Sequence, residues 1–574
     1  MELSEFIEAP RVHDAFMRKG PRPSQVGDIC IFGHHLIFAP SNPQNDTTNQ
    51  NLNNEEFWLL HKAVDRVLCE PISKEQPSKG GLLALKCKNF LIIIFEISDL
   101  ELCRAAARSI ESLSNLNGVV HDYAFFYNSP FTILDDGWTA FNPEQEFARL
   151  MTFSDNFRIS SVNENFSICP SYPDKVIVPK GIGDDYLKIS ATFRDGGRFP
   201  VLSYFHKETK SPLIRCGQPL IGPTNRRCRE DETILNSLLT VNRGFIIDTR
   251  TKTAATSAKA KGGGSEPQGN YRQWKYLHCP IPKMRDIHDA LTKIVDACSD
   301  RKISSDRWVN RIASSGWLSA VAASLECAAN AAQCIHCEGT KEVPVVIHGG
   351  EGTDTTLIAC ALAQVILDTD ARTIRGLESV IEREWICAGH PFSLRNAHCA
   401  YAEGTITGPF ESPVFLVFLD CLFQMVSQYP LSFEYDESFL IFLFEHAYAS
   451  EFGSFVGNNE KEKQEYQVKQ KTVSLWSHVH HPETLKQFVN PCYDPEPGVL
   501  WPSIAPQSIK IWERLFFRWQ RRESNWSSQE TETIQKLAEH WQLREKELIS
   551  KASFLRRSVA ELTKELRSLG VPTS

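Results

Sequence analysis

The sequence predicts a multidomain chain combining α+β and α/β architecture. It has a small β-rich module closed by one helix, a large α/β body with a helical elaboration, and a C-terminal coiled-coil helix. Three observations carry this prediction. Short apolar runs divided by turns, followed by one amphipathic stripe, fill residues 1–120. An apolar strand runs into a glycine-rich loop and then a helix over residues 343–357. Apolar side chains recur every seven positions between Ile534 and Leu569.

In the first module, Ile29-Cys30-Ile31-Phe32 and Leu36-Ile37-Phe38 flank Gly33-His34-His35, a hairpin pattern. A polar stretch over residues 40–56 reads as a surface loop. Residues 57–60, 82–85 and 90–95 give further strands. Residues 100–116 turn helical, with Cys103, Ala106, Ile110 and Leu113 on one stripe. Strands closed by one helix suggest a small barrel or sandwich.

The body, residues 121–521, has no internal repeat. Residues 199–204, 244–248 and 343–347 read as buried strands, and 372–385, 414–428 and 438–449 as long apolar-striped helices. The tail, residues 530–569, places Ile534, Trp541, Leu548, Leu555, Leu562 and Leu569 at heptad position d. Ala538, Glu545, Ala552, Val559 and Leu566 take position a. A strict seven-residue seam winds a left-handed coiled coil, and the charged Glu545 weakens it locally.

Composition narrows the function. The 574 residues are 42% hydrophobic and 10% aromatic, which supplies a core and excludes a wholly disordered chain. The 62 basic residues fall short of 70 acidic ones, so nucleic-acid binding is not expected. Glu2, Glu5 and Glu8 stand where a secretory leader carries positive charge. The apolar run at 90–95 is far shorter than the roughly 20 residues of a membrane helix. A cytoplasmic chain without a spanning segment is expected, touching membranes only peripherally. The 17 cysteines show no framework spacing and read as reduced thiols. Cys334 and Cys337 form a lone C-x-x-C around His336; without a second pair they read as packed helix residues, so no metal site and no cofactor is expected.

The segment His348-Gly349-Gly350-Glu351-Gly352-Thr353-Asp354-Thr355 is where chemistry belongs. Strand, loop and helix together aim backbone N–H groups at an anion. A Walker A loop fails because there is no lysine, and G-x-G-x-x-G fails because Thr355 stands at the third glycine. The third candidate is the H-C-x5-R loop, in which a thiolate attacks phosphorus and an arginine grips the phosphoryl oxygens. Laid on that pattern, His348 matches the histidine, Gly352 the central glycine and Asp354 the late aspartate. Gly349 replaces the nucleophile and Thr355 the arginine, which removes both attack and charged clamp. His348 is expected to hold the loop by a hydrogen bond and Asp354 to cap the following helix.

The chain also resembles the myotubularin-related family, in its catalytically inactive branch. The resemblance rests on segments in a fixed order: Ala191-Thr192-Phe193-Arg194 with Gly197-Arg198-Phe199-Pro200-Val201-Leu202-Ser203-Tyr204; Gly217-Gln218-Pro219-Leu220; Ala260-Lys261-Gly262-Gly263-Gly264; Arg372-Thr373-Ile374-Arg375-Gly376; Glu384-Trp385 with Gly389-His390-Pro391-Phe392; Phe418-Leu419-Asp420-Cys421; and Phe452-Gly453 with Gly457-Asn458-Asn459. It implies a PH-like GRAM β-barrel with a C-terminal helix over residues 1–120, a tyrosine-phosphatase-like domain over 121–521 and a coiled coil over 530–569. Active members remove the 3-phosphate from phosphatidylinositol 3-phosphate and the 3,5-bisphosphate. The inactive branch binds active relatives and raises their activity, stability or targeting. The implied partners are myotubularin-related proteins six, seven and eight, or a second copy of the chain, on endosomal or other internal membranes. Two alternatives stay open: a passive phosphoinositide-binding module, and a residual lipid phosphatase using Cys334 or Cys337 as a displaced nucleophile. Lys259 and Lys261 before three glycines read as a flexible surface loop, Arg226, Arg227 and Arg229 as neutralised by Glu230-Asp231-Glu232, and the aromatic residues of 511–519 as helix core.

Overall fold

The computed structural model describes residues 3–20, 24–41, 55–73, 79–116, 118–139, 141–240, 243–300, 304–336, 342–401, 411–495, 497–519, 543–544, 546, 549–551 and 553–565. The first strands are β1 (Arg11–Lys19), β2 (Gln25–Ile31), β3 (His35–Pro40), β4 (Phe57–Leu60), β5 (Val64–Pro71), β6 (Gly81–Cys87) and β7 (Ile92–Ile97). They form one curled sheet in the order β4-β3-β2-β1-β7-β6-β5, with every neighbouring pair antiparallel. Alternation explains the packing. Ile93, Phe95 and Ile97 point to the core while Ile92, Ile94 and Glu96 point away. Helix Leu100–Ser114 covers the core face with Cys103, Ala106, Ile110 and Leu113, the predicted stripe. Asp99 caps that helix, accepting from Glu101 N at 2.8 Å. β6 begins on glycine because a Cβ at Gly81 would lie 2.6 Å from Cys103 Sγ.

The predicted hairpin is β2–β3. Strands β1 and β5 were not expected from the sequence. Their charged residues, including Arg11, Asp14 and Arg18 in the first and Asp65, Arg66 and Glu70 in the second, hide the alternation. Residue 90 also differs from expectation. Phe90 has φ +70 and leaves the strand. Its ring stacks on Phe516 with centroids 5.6 Å apart, in the core of the body rather than of its own sheet.

The body contains a two-stranded ribbon, β8 (Phe157–Ser160) and β9 (Val176–Pro179), and a five-stranded sheet. That sheet holds β10 (Val201–His206), β11 (Ser211–Cys216), β12 (Gly244–Asp248), β13 (Trp274–His278) and β14 (Val345–His348), ordered β10-β11-β14-β12-β13. β10 runs antiparallel to β11 and the other pairs are parallel. Parallel strands buried on both faces read as continuous apolar runs, which is why β12 and β14 were legible. His348 at the end of β14 sits opposite both Cys216 and Asp248.

Helices Thr355–Leu367, Trp317–His336, Val414–Gln428 and Glu437–Tyr448 build the large core around that sheet. The helix expected over 372–385 is broken. A 3-10 turn at Asp370–Arg372 is followed by a new helix, Ile374–Ile381, capped by Thr373, and a π turn at Glu382–Ile386. Trp317–His336 is long and apolar enough to cross a membrane by length and composition, but 56% of its apolar window is buried inside the protein. Lys259 lies in the last turn of helix Lys252–Ala260 rather than in a loop. Of the aromatic residues of 511–519 expected in a helix core, Trp512 and Phe516 are buried, but the helix spans only Glu513–Phe516, and Phe517 and Trp519 lie beyond it half-buried. The first sheet docks on the body: Asp65 accepts from Cys399 N and Tyr401 N, each at 2.8 Å.

Of the predicted seam, Ile534, Ala538, Trp541, Glu545, Leu548, Ala552, Leu566 and Leu569 lie outside the described residues. Residues 553–565 are helical, and there Leu555, Val559 and Leu562 are 61%, 61% and 58% exposed.

Candidate functional site

The site is the loop that joins β14 to helix Thr355–Leu367 at the carboxyl edge of the parallel strands. Crevices at that edge are where open α/β sheets bind ligands. The loop's shape depends on Gly352, whose φ is +85 and whose Cβ would meet Cys216 O at 2.6 Å. Its carbonyls are turned outward onto protein donors. Gly350 O accepts from Gln218 N at 2.8 Å, Gly352 O from Arg198 Nη2 at 2.9 Å, and Thr353 O from His390 Nδ1 at 2.9 Å.

Beneath the loop lies a buried charge network. Arg194 grips Asp231 with two hydrogen bonds, at 2.8 and 2.6 Å, and Glu266 with a third at 2.6 Å. The other oxygen of Glu266 lies 3.0 Å from His348 Nε2, and His348 Nδ1 lies 3.2 Å from Gly349 O. Both imidazole nitrogens face acceptors, so the ring suits its charged, doubly protonated form. Burial works against that charge, but Glu266 and Asp248 outweigh it and raise the His348 pKa above its ordinary value. Burial would likewise raise Glu266, yet His348 and Arg194 hold its carboxyl well below the usual range. Asp248 pairs with Arg250 at 2.7 Å, and Arg250 Nη1 reaches Gln218 Oε1 at 2.5 Å. His348 thus sits at the top of a network of three carboxylates, Asp231, Glu266 and Asp248, against three cations, Arg194, Arg250 and His348.

Asp354 corrects the sequence reading. It occupies the N-cap position of helix Thr355–Leu367 but makes no capping hydrogen bond. Its carboxylate instead takes two bonds from Arg395, both 2.9 Å, with His390 Nδ1 at 3.4 Å. Burial opposes its charge, but His390 and Arg395 hold its pKa well below the usual range. Glu351 is raised, first by burial and then by Asp195 and Asp354.

At the reacting position, a Cβ on Gly349 would lie 2.7 Å from Thr249 Oγ1, 3.0 Å from Thr355 Oγ1 and 3.1 Å from Thr356 Oγ1. Thr249 and Thr355 share a hydrogen bond of 2.7 Å across that space. Thr355 is thus tied to a neighbouring threonine, and the terminal nitrogens of Arg198 are engaged by protein while its Nε is buried without a partner. Arg198 donates to Ser171 Oγ and Gly352 O, while Arg395 holds Asp354.

Cys334 does not approach this loop. It precedes His336, whose ring lies 5.9 Å from His206, and His206 pairs with Ser211 at the opposite end of β11 from Cys216. Cys337 lies outside the described residues. Cys216, which is beside the loop, is pushed up to about 12 by burial and is no thiolate.

The sequence missed the Arg194–Asp231–Glu266 hub. Glu230-Asp231-Glu232 read as a self-neutralising run, and Arg227 does pair with Glu232 at 2.8 Å. Asp231, however, turns inward and is fully buried. Arg194 and Arg198 both lay in segments that carried the family resemblance, which was the one available signal.

Comparison with known proteins agrees with this architecture. A family profile described as the Myotubularin-like phosphatase domain matches residues 122–464. The chain is 78% identical to Myotubularin-related protein 9 of Caenorhabditis elegans over 569 residues, covering 99% of the chain and 100% of the relative. It is 44% identical to the human protein of that name over 566 residues, covering 98% of the chain and 99% of the relative. It is 31% identical to human phosphatidylinositol-3,5-bisphosphate 3-phosphatase MTMR6 over 525 residues, covering 90% of the chain and 80% of that enzyme. On this likeness along nearly its whole length, the chain belongs to the myotubularin family.

Proposed function

We propose that the chain is a pseudophosphatase: a non-catalytic regulatory subunit that binds active myotubularin-related phosphoinositide 3-phosphatases and raises their activity, stability or targeting. The observation that carries this reading is Gly349 at the end of β14, with three threonine hydroxyls occupying the space where a nucleophile's side chain would begin. Glycine supplies no attacking atom, and Thr355 no guanidinium. The chain's likeness to MTMR6 and to human MTMR8, which is named as the same 3-phosphatase and is 30% identical, supports partners of that class. In this reading residues 1–120 are a PH-GRAM module, 121–521 an inactive phosphatase-like domain and 530–569 a coiled coil. The exposed Leu555, Val559 and Leu562 support an assembly role for that tail. The chain acts in the cytoplasm, peripherally on endosomal or other internal membranes.

The second reading is passive phosphoinositide binding by the loop, and the mutual repulsion of Glu351 with Asp195 and Asp354 beside it opposes that reading.

The test is co-purification of the full chain with an active relative, followed by assay of that relative on vesicles containing phosphatidylinositol 3-phosphate. Binding with a higher rate of phosphate release supports the regulatory reading. Failure to bind any active relative, together with saturable lipid capture, supports the passive one.

A further inference from the structure

A second cluster of chemically capable side chains lies at the opposite edge of the sheet from the loop. His206 ends β10, Glu208 follows in the turn to β11, and His336 is the last residue of helix Trp317–His336. One ligating atom from each of the three lies within 4.8 Å of the other two. The rings of His206 and His336 meet edge to face. His206 is buried, His336 half-buried and Glu208 exposed, so protein closes one side and the carboxylate opens to solvent.

We propose that His206, Glu208 and His336 form a binding site for a divalent transition cation of the zinc class. Two imidazoles and one carboxylate are a nitrogen and oxygen donor set that suits Zn2+, and three protein ligands leave a fourth position for water. His206 Nδ1 accepts from Thr209 N–H at 3.3 Å and lies 3.1 Å from Thr209 Oγ1, contacts that fix the orientation of the ring beside Glu208 and His336. His336 carries a buried nitrogen, Nδ1, that meets no hydrogen-bond partner, and a ring without competing bonds is available to a cation. A bound cation would tie the β10–β11 turn to the end of the helix.

Among the described residues, neither Cys334 nor any residue of the β14 loop supplies an atom to this cluster. Metal binding here is therefore independent of the phosphatase-like chemistry.

The experiment titrates the full chain, freed of metal by a chelator, with Zn2+, and with Co2+ as a spectroscopic stand-in. One equivalent is expected per chain. The expected visible bands are those of a nitrogen and oxygen ligand field, without thiolate-to-metal charge transfer. His336→Ala and Glu208→Gln are each expected to weaken binding more than about tenfold. Glu208 is exposed, so Glu208→Gln keeps the test valid if substitution of the buried His206 prevents folding. Absence of stoichiometric uptake overturns the proposal. Uptake dominated by thiolate charge transfer and unchanged in Glu208→Gln and His336→Ala overturns it as well, by moving the metal to the cysteines.

Discussion

Two regions of the chain treat their reactive groups in opposite ways. Around the loop at 349–354, Arg194 is bound to Asp231 and Glu266, Arg395 to Asp354 and Thr355 to Thr249, while Thr356 Oγ1, Arg198 Nε and His390 Nε2 are buried without a hydrogen-bond partner. Along the helix at 553–565, apolar side chains stand in solvent, and the helix touches the body where Arg557 donates to Tyr493 O at 2.8 Å. The first region spends its chemistry on holding its own shape. The second carries an apolar surface that its own body leaves uncovered. The contrast explains how a chain can retain a phosphatase-like loop while its proposed work is assembly. Changes at the loop should cost stability, and changes at the tail should cost association.

The largest expected effect comes from breaking the hub. Arg194→Met leaves the buried carboxylates of Asp231 and Glu266 without their cation, and removing one partner of such a network costs about 3–5 kcal/mol. Chemical denaturation of the full chain should show its midpoint fall sharply. An unchanged midpoint would mean that the network contributes nothing to the fold. Gly352→Ala comes next. A side chain at φ +85, placed against Cys216 O, should cost about 1–3 kcal/mol by strain.

Acidity gives a graded version of the same comparison. Asp354 and Glu266 have folded pKa values held below their ordinary ones, so each contributes stability above the ordinary carboxylate range. That contribution is lost as pH falls through the folded value. His348 is raised, so its contribution is complete below the ordinary histidine value, about 6.5, and is lost as pH rises through the folded value. Melting temperature against pH should therefore fall on the acid side, with a smaller alkaline loss. Asp354→Asn should flatten the acid limb, and an unaltered limb would contradict the assignment.

The smallest effect on stability belongs to the tail. Leu555→Glu with Leu562→Glu changes side chains that are already exposed and should move stability by no more than about 0.5 kcal/mol. The same pair should abolish association with a partner, because each leucine buried in a seam is worth roughly 1.5–3 kcal/mol and a buried charge adds a penalty. Light scattering after size exclusion would show the mass fall to that of the single chain. Retention of the complex would move the interface elsewhere.

What was legible in the sequence follows the range of the interactions. The stripe Cys103, Ala106, Ile110 and Leu113 and the apolar strand before the loop are local patterns and could be read directly. β1 and β5 were hidden because charged residues interrupt their alternation. Asp354 read as a helix cap from its position, but its partner Arg395 is 41 residues away. Glu266 lies 72 residues from Arg194, and no local pattern joins them. Phe90 read as strand, while the docking of two cores turned it out of its sheet. Residue type located the loop, and tertiary charge pairing determined what holds it.

The most direct measurement of the central claim is phosphate release from vesicles containing phosphatidylinositol 3-phosphate by the full chain alone, purified free of other phosphatases. The expected rate is the rate without protein. It should stay there for Gly349→Cys, because a restored thiol still lacks the arginine clamp and meets the threonine hydroxyls. Turnover that rises in proportion to the chain's concentration, and survives removal of every co-purifying phosphatase, would contradict the account.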